Sequence, residues 1–124
     1  MEQDNLLPEP DRDYLAEKGY VFEIIPQNGV VHLILKEIGF SEAYNPKTAD
    51  ILIMVPTGYP NVPLDMFWTF PEIKYANGNV PVATEVRQQL HGKNWQRWSR
   101  HHPGWRPGLD NLRTFLTVIL KEVQ

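Results

Sequence analysis

The run Asp50 to Val55, DILIMV, is the most continuous apolar stretch in the chain, and Pro56 ends it. A short apolar run bounded by a breaker reads as a strand covered on both faces, and therefore as the central strand of a sheet. The flanking sequence supplies neighbours for it. Tyr20 to Ile25 is rich in β-branched and aromatic residues, as strands are. Asn28-Gly29 is a hairpin signal, and Val30 to Lys36 forms the return strand with His32 on one of its faces. Phe40 to Thr48 is a connection that turns at Asn45-Pro46. After Pro60 and Pro63, Met66 to Thr69 forms a fourth strand, closed by Pro71.

Helices flank this four-stranded antiparallel meander. Pro10 can open a helix, Asp11 and Asp13 suit its positive end, Tyr14 and Leu15 face the core, and Gly19 stops it. Residues 1–9 read as a flexible lead. From Leu109 the spacing turns helical: Leu109, Leu112, Leu116, Ile119 and Val123 share one side, widened by Phe115 and Leu120. Asp110 falls in the first turn and Lys121 in the last. Thr84 to Leu90 is compatible with a short helix ended by Gly92. With 124 residues the chain makes one domain, 1–124, of α+β class.

Between meander and last helix lies Asn94 to Asn111, NWQRWSRHHPGWRPGLDN. It holds three of the four tryptophans, two of the four histidines and three of the twelve Lys+Arg. No acid occurs between Glu85 and Asp110, so the segment is locally basic in a chain of net charge -3. Pro103, Gly104, Pro107 and Gly108 exclude one regular helix, and the segment reads as a long irregular crossover. Trp95, Trp98 and Trp105 anchor it to the core, with one or two of them free to show a face. A tryptophan beside arginines suits protein binding, which makes Arg97, Trp98, Arg100, Trp105 and Arg106 candidate contact residues.

Ser99 could carry an acyl group as an oxyester if a base takes its proton, and His101 or His102 could be that base. The alternatives are that Ser99 caps a turn and that the histidines pack the crossover onto the sheet. His91 adds a third histidine, but the spacing matches no metal motif, and no metal or cofactor is expected. The chain has no cysteine, which excludes disulfides and a thiol nucleophile. The acidic first residues are no signal peptide, and no run approaches a membrane span, so a cytoplasmic protein is expected. Net acidity argues against a general nucleic-acid binder. Trp/Arg stacking on a single strand is the remaining nucleic-acid reading.

The stretch ILIMVPTGYPNVPLDMFWT resembles the third-strand, Tyr-Pro turn and fourth-strand region of the ubiquitin-conjugating enzyme (UBC) superfamily. Trp105-Arg106-Pro107 before a helix is similar to that superfamily's tryptophan-to-helix junction. Leu7-Pro8-Glu9, Pro63 to Trp68, Trp95 to His101 and Trp105 to Leu112 resemble a bacterial branch, the prokaryotic UBC family E proteins. The resemblance spans roughly residues 6–123. It implies a UBC-like fold and a place in ubiquitin-like protein conjugation. The implied partners are a ubiquitin-like protein, often with tandem domains, a ThiF-like activating enzyme and a JAB-type metallopeptidase.

Two departures limit what transfers. Conventional members hold the ubiquitin-like protein on a cysteine after the fourth strand, and this chain has none. Their His-Pro-Asn triplet is here Phe70-Pro71-Glu72, so the asparagine that supports the oxyanion is missing, with Asn77 and Asn79 as possible substitutes. The resemblance therefore leaves open two modes of action. One is a conjugation component that transfers without a thioester or aligns the ubiquitin-like protein for transfer by another subunit; the other is a non-catalytic module that binds the ubiquitin-like protein or its activating enzyme.

Overall fold

A computed structural model describes residues 6–124. Helix α1 spans Glu9–Glu17, with Pro10 in its first turn and Glu9 and Asp11 at its positive end. Gly19, at φ +74, turns the chain out of it. Of the expected flexible lead, residues 1–5 lie outside the described residues. Leu7, however, is buried in the core and Glu9 already belongs to the helix, so the ordered chain begins earlier than expected.

The sheet starts with β1 (Phe22–Gln27) and β2 (Val30–Gly39), joined by Asn28-Gly29 with both residues at positive φ, as a tight hairpin demands. A bulge between Leu35 and Ile38 bends β2, and the Glu37 amide donates to the Asp50 carboxylate at 2.9 Å. Next come β3 (Tyr44–Asn45), β4 (Thr48–Val55), β5 (Asp65–Phe70) and β6 (Lys74–Tyr75). Strands β3 and β6 form a small separate ribbon. β4 carries the DILIMV run and, as expected, lies in the sheet interior between β2 and β5.

The meander does not stop at four strands. Arg87–Leu90 forms β7 and Lys93–His101 forms β8, giving a six-stranded antiparallel sheet in the order β1-β2-β4-β5-β8-β7. The possible short helix over Thr84 to Leu90 does not form, since Arg87–Leu90 is a strand, and the first half of the expected crossover is a nine-residue strand paired on both edges. His91 (φ 52) and Gly92 (φ 76) supply the two left-handed residues of the β7–β8 turn.

The sheet has two covered faces. On one lie α1 and α2, over Leu33, Leu35, Ile51, Ile53, Phe67 and Trp98. On the other, Ile34, Leu52, Trp68 and Trp95 pack with Leu90, because the sheet curls and brings the β7–β8 turn over its own outer face. Trp95 and Trp98 are three positions apart, so alternation sends them to opposite faces, one to each core. Gln96, fully buried, faces the helical side. It accepts from the Thr69 hydroxyl (2.9 Å) and the Ile73 amide (2.7 Å) and donates to the Ile73 carbonyl (2.9 Å).

Helix α2 spans Leu112–Val123 and buries Leu112, Phe115, Leu116, Ile119, Leu120 and Val123. It begins later than the apolar spacing suggests. Asn111 is the N-cap in a reciprocal capping box with Thr114, which leaves Asp110 before the helix and Leu109 62% exposed. No described helix is long and apolar enough to cross a membrane.

Replacing Gln96 by Leu should leave the Ile73 amide and carbonyl buried without partners. The expected cost is about 3 kcal/mol in urea unfolding; a loss under about 1 kcal/mol would mean that water or a shifted loop serves those groups.

Candidate functional site

The Tyr59 hydroxyl anchors the region around the histidines. It donates to the Asp11 carboxylate of α1 at 2.6 Å and accepts the Leu112 amide at the start of α2 at 2.7 Å. The next residue, Pro60, accepts from the Trp105 indole at 2.9 Å. Burial pushes the Asp11 carboxyl above its ordinary value, although the Tyr59 hydrogen bond pulls the other way. Burial, and then the neighbouring Asp11, push the Tyr59 hydroxyl up. The Tyr-Pro element therefore does more than turn the chain: it ties both helices and the tryptophan loop together.

His102 and Trp105 sit on this platform. The His102 ring packs edge-on against Trp105 with centroids 5.3 Å apart. Its Nδ1 lies 3.0 Å from the Pro103 carbonyl and its Nε2 3.3 Å from the buried Asp110 carboxylate. Asp110 also accepts the Arg106 amide at 2.7 Å. Burial pushes the Asp110 carboxyl up, but the Arg106 amide, the Thr114 hydroxyl and the charges of His102 and Arg106 outweigh it and hold the group below its ordinary range. Both ring nitrogens of His102 are thus engaged within the loop that leads into α2.

His101 has a different setting. It ends β8, opposite Asp65, which begins β5. Its Nδ1 donates to the Asp65 carboxylate. The ring is 68% exposed, and no described residue pairs with Nε2. A carboxylate on Nδ1 fixes the tautomer that leaves the Nε2 lone pair outward, the arrangement a general base needs. Beside it Met66 has φ +63, an uncommon conformation for a residue other than glycine, at a bulge between Asp65 and Phe67. Bulges are frequent beside active sites, where they re-aim side chains.

The structure does not join Ser99 to either histidine. The Ser99 hydroxyl faces the Met66 sulfur at 3.9 Å, and its amide donates to the Ala83 carbonyl. It caps no turn, because it lies inside β8. Trp98 is fully buried, stacked on Phe67 and donating to Thr69 at 3.0 Å, so it offers no face to a partner. Trp105 is partly buried against the core.

The three arginines also separate. Arg100 is held by the Glu122 carboxylate at 2.6 and 2.9 Å and by the Val82 carbonyl at 2.9 Å. Arg106 is 69% exposed, with a loose contact to Asp110 at 3.5 Å. Arg97 makes no ion pair among the described residues, and its buried Nε has no partner. Asn77 accepts the Asn79 amide within a turn, and Glu72 pairs with Arg87, so neither place offers a donor set for an oxyanion. Among the described residues no three His, Cys, Asp or Glu side chains converge as a metal site.

Asp65 is the partner that reading along the chain missed. It lies 36 residues from His101, and only the β5–β8 pairing brings the two together.

The family model for prokaryotic E2 family E matches residues 7–124. The chain belongs to that family. No curated protein and no solved structure matches it. Membership in this E2-like family points to a role in bacterial ubiquitin-like conjugation and to partners within such a pathway. The α+β architecture, with a helix, a curled antiparallel sheet and a final helix, fits a UBC-like fold, with six strands in the main sheet where four were expected.

Two stability measurements test the Tyr59 anchor. Tyr59→Phe should cost about 3 kcal/mol, because it orphans the Asp11 carboxylate and the Leu112 amide together. Asp11 has a folded value raised above 3.8, so its contribution is present below that pH and is lost as pH rises through the raised value. Asp11→Asn keeps an acceptor oxygen without the charge. It should be at least as stable as the parent at pH 7 in urea titrations and lose that advantage in acid; a clear loss at pH 7 would show that the charged form is favoured there.

Proposed function

We propose that this prokaryotic E2 family E protein acts in ubiquitin-like protein transfer without a thioester of its own, with His101 as base and Asp65 as the residue that orients it. The observation that carries this reading is the exposed His101 ring, held on Nδ1 by Asp65 and open at Nε2, in a chain with no cysteine. A ubiquitin-like protein arrives with its C-terminal carboxyl activated by another enzyme. A ThiF-like activating enzyme is the proposed donor, and a JAB-type peptidase is the proposed pathway companion.

At the β5–β8 end, His101 Nε2 takes the proton of the attacking amine or hydroxyl as the acyl bond forms and the activating group leaves. Arg106, exposed on the loop that follows β8, is the proposed cation for the negative charge that develops on the acyl oxygen. His102 and Trp105 hold the loop that carries it. The nucleophile comes from a target or another subunit. Ser99 fits that role less well, because its hydroxyl faces Met66 and would have to leave the sheet side it occupies. The cytoplasm is the proposed location.

A non-catalytic binding module is the second reading. Its support is that Arg100 and Trp98 are committed within the fold, so no preassembled oxyanion pocket is formed from them. The two readings separate in a reconstituted reaction containing ATP, activating enzyme and ubiquitin-like protein. His101→Gln should lower the rate about 100-fold, as loss of a general base does. Asp65→Asn should lower it too and shift its pH profile, while Ser99→Ala stays near the parent. Unchanged rates in both His101→Gln and Asp65→Asn, with native circular dichroism, would leave the non-catalytic binding module as the reading.

A further inference from the structure

The other two histidines meet on the outer face of the sheet, the side of Ile34 and Leu52. His32 lies on β2, buried, in register with Ile25 of β1 and Met54 of β4. His91 sits in the β7–β8 turn, 59 residues away in the chain. Their rings face edge to face with centroids 4.9 Å apart at 84°, and His32 Nδ1 lies 2.8 Å from His91 Nε2. This is a direct polar link between the turn and the middle of the sheet. Around it the turn is held by Leu90 against Ile34 and Leu52, and by Gln88, which accepts from the Trp68 indole at 3.1 Å.

We propose that the His32–His91 contact is an acid-released latch on the β7–β8 hairpin. A nitrogen-to-nitrogen hydrogen bond needs one donor and one acceptor, so at least one of the facing nitrogens must be without a proton. The closed latch therefore holds at most one proton between those two atoms. Once the turn lifts away, each ring can take its own. Opening thus gains a proton, and acid favours it. Burial, and then the charge of His91, hold His32 below the ordinary histidine range, the direction the closed form requires.

The charged groups around the pair do not remove this effect. Glu23 of β1 lies within the field of His91 and Lys93, but its carboxylate is bound by Lys36 of β2 at 2.6 Å. Lys36 also faces Asp50 of β4 at 3.8 Å. Lys93 of β8 lies over the Phe70 ring at 5.0 Å. Glu23, the described carboxylate whose charge interacts with His91, is thus already paired with a cation. The residues uncovered on opening are Trp68, Trp95 and Leu52, the small core of the outer face. The latch therefore governs access to an apolar sheet face and the order of the strand that leads to His101, independently of whether His101 acts as a base.

Hydrogen exchange of the full chain, followed by mass spectrometry at pH 7.5 and 5.5 and corrected for intrinsic rates, tests the latch. One proton taken up on opening gives up to about a tenfold rise in the opening constant per pH unit below about 6.5. In the parent, residues 87–95 should exchange several-fold faster at pH 5.5 than at 7.5, while β2 and β4 keep their protection. In His32→Leu, which suits the apolar neighbours Ile25 and Met54, and in His91→Asn, which tolerates the left-handed turn, that acid response should be lost or strongly reduced. Either of two results overturns the latch: an equal acid response in the parent and in whichever variants fold, or a response spread evenly over all strands.

Discussion

The Tyr59 hydroxyl is the point on which the rest of the structure depends. One oxygen donates to a buried carboxylate on α1 and accepts the first amide of α2. That amide belongs to a helix terminus with no partner of its own inside the helix. Without the hydroxyl, the buried carboxylate and this amide would both lack their bond, and the two helices would lose their shared contact with the loop between β4 and β5. The Trp105 indole donates to the adjacent Pro60 carbonyl, and His102 packs edge-on against Trp105. The loop after β8 is thereby fixed from below, which lets a stretch rich in proline and glycine hold a defined shape.

The parts of the fold legible in the sequence are those where one local signal decides the structure. Asn28-Gly29 gives the first hairpin, the DILIMV run gives the interior strand, and the spacing from Leu112 gives the final helix. Strand β8 was not legible because its pattern serves two cores at once. Trp95 and Trp98 point to opposite faces, Gln96 is buried between them, and Arg97 and Arg100 lie beside them only half exposed. No alternation of apolar and polar residues survives such an arrangement. The start of α2 was misplaced for a related reason: Leu109 continues the apolar spacing, but the Asn111 cap overrides it.

The candidate site was half legible. His101 and His102 stood out as a pair, yet adjacency could not rank them, because their difference lies in what each ring nitrogen meets. Asp110 follows in the same segment, whereas Asp65 is contributed by another strand. His102 is committed at both nitrogens and His101 at one, so only His101 keeps a ring nitrogen open to solvent. The same reasoning separates the arginines, since Arg100 is clamped by Glu122 while Arg106 remains at the surface.

Placing the dyad on paired strands has a consequence for how a cysteine-free E2 relative could work. A thiolate is itself a strong nucleophile and tolerates imprecise surroundings, whereas a base acting on someone else's nucleophile must be positioned relative to a second molecule. Strand β8 is hydrogen-bonded on one side to β5 and on the other to β7 and the segment before it, through the Arg97 and Ser99 amides. His101 at its end inherits that rigidity, and the Met66 bulge sets the offset at which Asp65 meets the ring. A residue on the proline- and glycine-rich loop one step further on would lack that ladder. On the proposed reading, the position of His101 at the last rung, ordered by the sheet yet open to solvent, is what would let it take the proton of a nucleophile brought by a second molecule.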